Sequence, residues 1–363
     1  MRRLILLMLI AVIPESGTAR AALHKRSSAA RTAPQIDLQL DSSEADQAIA
    51  ILERERSDRP VAEQEWKRLF ATAPYRELKA REASVGGAFS DEDFKAFLSS
   101  PKALAQLDIW KRTVAGMKTA DMPAIGKRDL EWLPAGATIR ARVFPEIKPL
   151  PNSFVWKAGP SDPPAIFLAV QEQSPDSFEN TVAHELHHIG LDSLQARQDA
   201  IQAGLPAQVK LAMKWMTAFG EGEAMLAAAG SDGRHPHWED DAVARARWDS
   251  DMMHFNADLK SVQGLLLDIL DGKLTTDPEI QKRAAPFWGY QGAWYTVGYE
   301  MAALVDKRFG RKSFDECLLD PRLLLERYND VAKEANAQGA SLETWSPELM
   351  EKLQVEQAAV LRN

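Results

Sequence analysis

His184, Glu185 and His188 stand in the run Asn180-Thr181-Val182-Ala183-His184-Glu185-Leu186-His187-His188-Ile189-Gly190 and spell His-Glu-x-x-His. At about 100° of rotation per residue, a helix projects His184 and His188 from one face, one turn apart, where two imidazoles can grip one Zn²⁺. Glu185 lies beside them, placed to take a proton from a zinc-bound water. The chemistry on offer is metal-assisted hydrolysis.

The flanking residues make that helix plausible. Val182, Leu186 and Ile189 fall at i, i+4 and i+7 and form an apolar stripe, while the two histidines and Glu185 point elsewhere. Ser174-Pro175 supplies a cap and a helix-start proline, and Gly190 reads as the stop.

A catalytic zinc needs a third protein ligand and an open fourth position. The best candidate is Glu221, in an apolar stretch between Gly220 and Gly222, where missing side chains let backbone and metal approach closely. Glu223 is the alternative; on a helix it points some 200° away, so both cannot serve. His235 and His237, in His235-Pro236-His237-Trp238, could replace Glu221 or act as solvated loop residues, and His254 has less to recommend it. His187 projects sideways, toward packing rather than metal. Asp192 could brace a ligand imidazole from behind, a reading that rests on no spacing argument.

His184-Glu185-Leu186-His187-His188 followed by Glu221-Gly222-Glu223-Ala224 resembles the gluzincin metallopeptidases, and most closely the zinc-dependent peptidases of exported bacterial proteins with an EGxA-type second motif. The likeness covers roughly residues 165 to 310. It implies Zn²⁺ as cofactor, His184, His188 and Glu221 as ligands, and Glu185 as general base. Tyr295-Thr296-Val297-Gly298 is similar to a tyrosine-x-x-glycine element of several gluzincins, which implies that Tyr295 stabilises the oxyanion; Tyr299, one turn on, is the rival. Two departures stand out. No Gly-x-Met-x-Asn element precedes the helix, which argues against an exopeptidase. The long gap from His188 to Glu221 requires an extra helix or loop over roughly Leu191 to Pro206.

The elements that must position these residues follow from composition and pattern. Residues 1–21 read as a signal peptide: Arg2 and Arg3, a ten-residue apolar run from Leu4 to Ile13, and Ala19-Arg20-Ala21 as cleavage site. That run is too short to span a bilayer, so the mature chain is expected to be exported, periplasmic or extracellular, without stable membrane insertion. The net charge of -8 becomes more negative once three arginines and one glutamate leave with the signal, which makes nucleic acid a poor partner. Cys317 is the only cysteine, which excludes an internal disulfide and a cysteine-rich zinc site.

Residues 22–35 read as a flexible leader, 36–132 as a helical N-terminal portion, 133–230 as the catalytic core, and 231–363 as a helical C-terminal portion completing the cleft. Thr138–Phe144 alternates like a half-exposed strand, and Ala165–Val170 is continuously apolar like a buried one. If that second strand is a sheet edge, an extended peptide could add to it; a plain core strand is the alternative. The expected fold is α+β, predominantly helical, with a zincin-like core and a small sheet preceding the active-site helix. The expected function is hydrolysis of peptide or protein substrates, against two alternatives: a hydrolase of a non-protein amide, or a metal-binding module without catalysis.

Overall fold

The computed structural model describes residues 35–354 apart from 151, 160, 290 and 291. The expected signal segment and all but the last residue of the leader lie outside them. The chain opens with β1 (Ile36–Leu40), followed by α1 (Ser43–Arg56), α2 (Glu63–Phe70), α3 (Ala73–Ser84), α4 (Asp91–Leu98), α5 (Pro101–Met117) and α6 (Met122–Leu130). Three strands follow, β2 (Ile139–Glu146), β3 (Phe154–Trp156) and β4 (Ala165–Ala169), which lead into α7 (Pro175–Asp192). After it come α8 (Gln195–Gln202), α9 (Ala207–Met216), a 3₁₀ turn, and α10 (Gly220–Ala229). The remainder is α11 (Ala242–Met252), α12 (Phe255–Leu270), α13 (Asp277–Ala284), α14 (Ala293–Phe309), α15 (Arg311–Leu319), α16 (Pro321–Ala337) and α17 (Pro347–Lys352). The fold is α+β and predominantly helical, and the small sheet immediately precedes α7. Among the described residues no helix is long and apolar enough to cross a membrane.

The sheet order is β1-β2-β4-β3, with β1, β2 and β4 parallel and β3 antiparallel to β4. The N-terminal portion is therefore not wholly helical: Ile36–Leu40 pairs with Ile139–Val143, a long-range partnership that no local pattern announces. β2 runs to Glu146 and is exposed only toward its start, so its second half is more buried than its alternation suggests. Pro145 is tolerated there because β1 ends its pairing at Val143, leaving no ladder bond for the missing N–H on that side.

β4 is buried throughout and flanked on both sides, so it is a core strand. Ile166 and Leu168 face the core shared with α7, while Ala165 and Phe167 face a smaller cluster with Phe144 and Phe154. The sheet edge on this side is β3, where Phe154 stacks on Phe167 at 4.8 Å between ring centres.

Two large apolar cores divide the molecule. One gathers the N-terminal helices, the sheet and the apolar side of α7. The other gathers α9, α12, α14 and α16, with Trp294, Tyr328 and Trp345 fully buried.

A group of ionisable side chains is buried where β2 ends. The backbone N–H of Ile147 donates to Glu44 Oε2 at 2.9 Å, and Lys148 Nζ lies 4.0 Å from Glu146 Oε2 and 4.1 Å from the centre of the Phe154 ring. Burial pushes Glu44 up from 4.5 to about 8, against the Ile147 N–H and the Lys148 charge. Between those values the folded chain keeps a proton that the unfolded chain releases. This contribution to stability is complete below about 4.5 and is lost as the pH rises toward 8. Glu44→Gln preserves an acceptor for Ile147 and removes the titration. Urea midpoints at pH 5 and pH 8 are expected to differ less in the variant than in the wild type; equal differences would refute this.

Candidate metal centre

α7 begins where its sequence starts it. Ser174 Oγ accepts from the N–H of Ser177 at 3.0 Å, Pro175 occupies the first turn, and Asp176 suits the positive end of the helix. Phe178, Val182, Ala183, Leu186 and Ile189 seat it on the sheet-side core. It does not stop at Gly190. The helix runs to Asp192, and at Gly190 the Leu133 side chain packs on bare helix backbone, its Cδ1 2.2 Å from where a Cβ would lie.

On the other face, His184 Nε2 and His188 Nε2 approach to 3.3 Å. Glu221 Oε2, from the first turn of α10, lies 3.3 Å from His184 Nε2 and 3.8 Å from His188 Nε2. Tetrahedral coordination at about 2.0–2.2 Å separates ligand atoms by roughly 3.3–3.6 Å, so the triangle has about the size of a zinc site. Two imidazoles and a carboxylate are also the donor set that such sites use. Among the described residues no other set of three His, Cys, Asp or Glu side chains converges in this way.

The charges in the cluster are mutually coupled. Burial would raise Glu221, but the charge of His188 and the approach of both imidazoles hold it well below the usual carboxylate range. Burial would lower His188, but Glu221, helped by Glu185 and Asp192, holds it up at about 9. Glu185 is fully buried, neither of its oxygens has a hydrogen-bond partner, and burial raises its pKa against the two imidazoles. A cleft of about 770 Å³ opens over Glu185, His188 and Glu221, with Val155 of β3 and Trp288 also in its lining.

α10 is held in place by glycine. A Cβ on Gly222 would lie 2.0 Å from the Tyr299 nitrogen and 2.4 Å from the Tyr295 oxygen; one on Gly298 would lie 2.3 Å from the Phe219 oxygen. Thus α10 and α14 touch backbone to backbone, which brings Tyr295 to Glu221. Gly220 plays a lesser part, since a Cβ there would sit at an ordinary 3.7 Å from His188 Cε1.

Burial, then the charges of Glu221 and Glu185, keep the Tyr295 hydroxyl protonated as it faces Glu221. Tyr299 is turned away, edge-on to Trp248 at 5.2 Å between ring centres. Glu223 is buried, pushed up to about 8, and outside the triangle. Asp192 lines the cleft near His188. His235 and His237 are not brought to the cluster: their nitrogens lie 3.3 Å from Asp249 and 2.8 Å from Asp240. His254 is exposed at the start of α12, and Cys317 is a buried thiol donating to the Ser313 carbonyl.

Sequence reasoning missed several neighbours. His187 is fully buried against Asp129 of α6, 4.0 Å between Nδ1 and Oδ1, and neither side chain has a hydrogen-bond partner. Asn180, one turn before His184, donates to Glu239. Nothing local marks either pairing, because each joins residues far apart in the chain. The insertion expected over roughly Leu191 to Pro206 contains the helix α8, and α9 follows it.

Fold and site together define an α+β protein with a His-His-Glu cluster, drawn from two helices, that is compatible with a metal ion. The chain belongs to the family described as "Putative zinc dependent peptidase (DUF5700)", whose model matches residues 66–337. Neither the curated proteins nor the solved structures contain a match.

Proposed function

We propose that the protein is an exported, gluzincin-like zinc peptidase that hydrolyses peptide bonds in peptide or protein substrates. The convergence of three donor atoms beside a buried, unpartnered Glu185 at the floor of a cleft supports this reading above all. His184, His188 and Glu221 would hold the ion. When bound, zinc supplies Lewis acidity, lowering the pKa of water and polarising a carbonyl.

The chain's own residues do the rest. Glu185 accepts the proton of the attacking water and delivers it to the leaving nitrogen, a role suited to a carboxylate whose pKa burial has raised. Tyr295 keeps its proton and faces both carboxylates, so it steadies Glu221 and offers a donor to negative charge developing on the substrate oxygen. β3, a sheet edge with Val155 in the cleft, presents backbone N–H and C=O groups to an extended peptide. The charged start and short apolar run of residues 1–21 support export.

The test is metal analysis of the full chain together with hydrolysis of quenched fluorescent peptides. The expected result is one zinc per chain and cleavage that a chelator abolishes and zinc restores. Glu221→Ala is expected to weaken zinc binding by more than about 100-fold, since even indirect neighbours of a ligand are worth 10–100-fold. Unchanged zinc affinity in that variant would remove Glu221 from the site.

A further inference from the structure

The cleft is lined by the buried carboxylates Glu185 and Glu221, by the exposed Asp192, and by two cations on α9, Lys210 and Lys214. The lining also includes Gln195, Gln198 and Gln202 on α8, spaced i, i+3 and i+7 so that one helix face lines the cleft. α8 buries none of its own residues completely, so this face reaches solvent. Gln195 and Gln198 are anchored, donating to Asp199 and to the Leu318 carbonyl. The Lys214 charge is met by Asp277 at 2.6 Å. Lys210 is exposed and has no ion pair among the described residues, in a chain with a net charge of -8.

We infer that the α9 side of the cleft is a carboxylate-reading subsite: Lys210, with Gln202 also in the lining, selects peptides that place a carboxylate against α9. A neutral amide gains little from an ammonium group, whereas a carboxylate gains a charge-assisted hydrogen bond. A cleft of about 770 Å³ is within the range that holds a small ligand or a few residues of a peptide, so the group read lies close to the scissile bond. The carboxylate can come from an acidic side chain or from the peptide's own C-terminus. The inference rests on the peptidase reading and names its substrate class.

The experiment measures binding without turnover. Zinc-loaded full-length Glu185→Gln protein is titrated with fluorescent hexapeptides carrying Glu or Gln at matched positions, each with a free or an amidated C-terminus. Carboxylate peptides are expected to bind about tenfold more tightly than their amide counterparts, the range of a charged hydrogen bond. The gap is expected to close on adding Lys210→Gln and to reverse in favour of lysine peptides with Lys210→Glu. Loss of the preference on Glu-to-Gln exchange assigns it to a side chain, and loss on amidation assigns it to the terminus. Equal binding of acid and amide peptides, no binding of any, or a preference indifferent to Lys210 overturns the inference. A Lys210-dependent preference in a protein whose wild type cleaves none of these peptides would keep the subsite and overturn the peptidase reading.

Discussion

Glu185→Gln is expected to lower peptide hydrolysis by about 10²–10⁴-fold, the span that a positioned general base supplies, while zinc content stays at the wild-type level. The side chain is fully buried, points at no hydrogen-bond donor, and lies with His188 and Glu221 on the cleft floor. Glutamine has the same shape and cannot accept the water's proton. The variant is also expected to be no less stable than the wild type, because an unpartnered buried carboxylate costs folding free energy that an amide reduces. The readouts are kcat on a peptide substrate, zinc stoichiometry and the thermal midpoint. Full turnover with intact zinc would sink the assignment, and zinc loss would turn Glu185 into a structural residue.

Gly222→Ala is expected to damage stability and metal binding together. The added carbon would lie 2.0 Å from the Tyr299 nitrogen, 2.4 Å from the Tyr295 oxygen and 2.5 Å from the Gly298 carbonyl carbon. All three are backbone atoms, so no side chain can swing aside and the two helices must separate. Overpacking of this kind costs about 1–3 kcal/mol, and rigid backbone on both sides places the site at the upper end. Glu221 is the neighbouring residue, so separation also draws the third donor from the imidazoles. Gly220→Ala is the control: its added carbon meets His188 and Glu223 at 3.7–3.8 Å, an ordinary contact. Denaturation midpoints and zinc affinity are expected to fall in Gly222→Ala and to hold in Gly220→Ala. Equal behaviour of the two variants would mean that the α10–α14 contact is looser than drawn.

Much of the cluster was legible because its signals are local. Ser174-Pro175 starts α7, the i, i+4, i+7 stripe buries one face, and four-residue spacing turns His184 and His188 together. Glu221 was readable as a carboxylate among glycines, although Gly222 serves the approach of α14 rather than that of a metal. What escaped was non-local. β1 makes sense only against β2, and β3 is three residues long and recognisable only by its pairing with β4. Gly190 looked like a helix stop because the leucine that packs on it comes from residue 133. Asp129 and His187, 58 positions apart, carry no pattern that links them.

The three donor atoms do not ride on one helix. His184 and His188 stand on α7, whose apolar side is part of the sheet-side core, whereas Glu221 stands on α10, which packs against α7 and is locked through glycine to α14. The triangle with sides of 3.3, 3.3 and 3.8 Å therefore spans the contact between α7 and α10. It acts as a gauge, because any change in how α10 seats on α7 is a change in bite. A probe metal whose spectrum follows ligand geometry would therefore report the packing of these two helices.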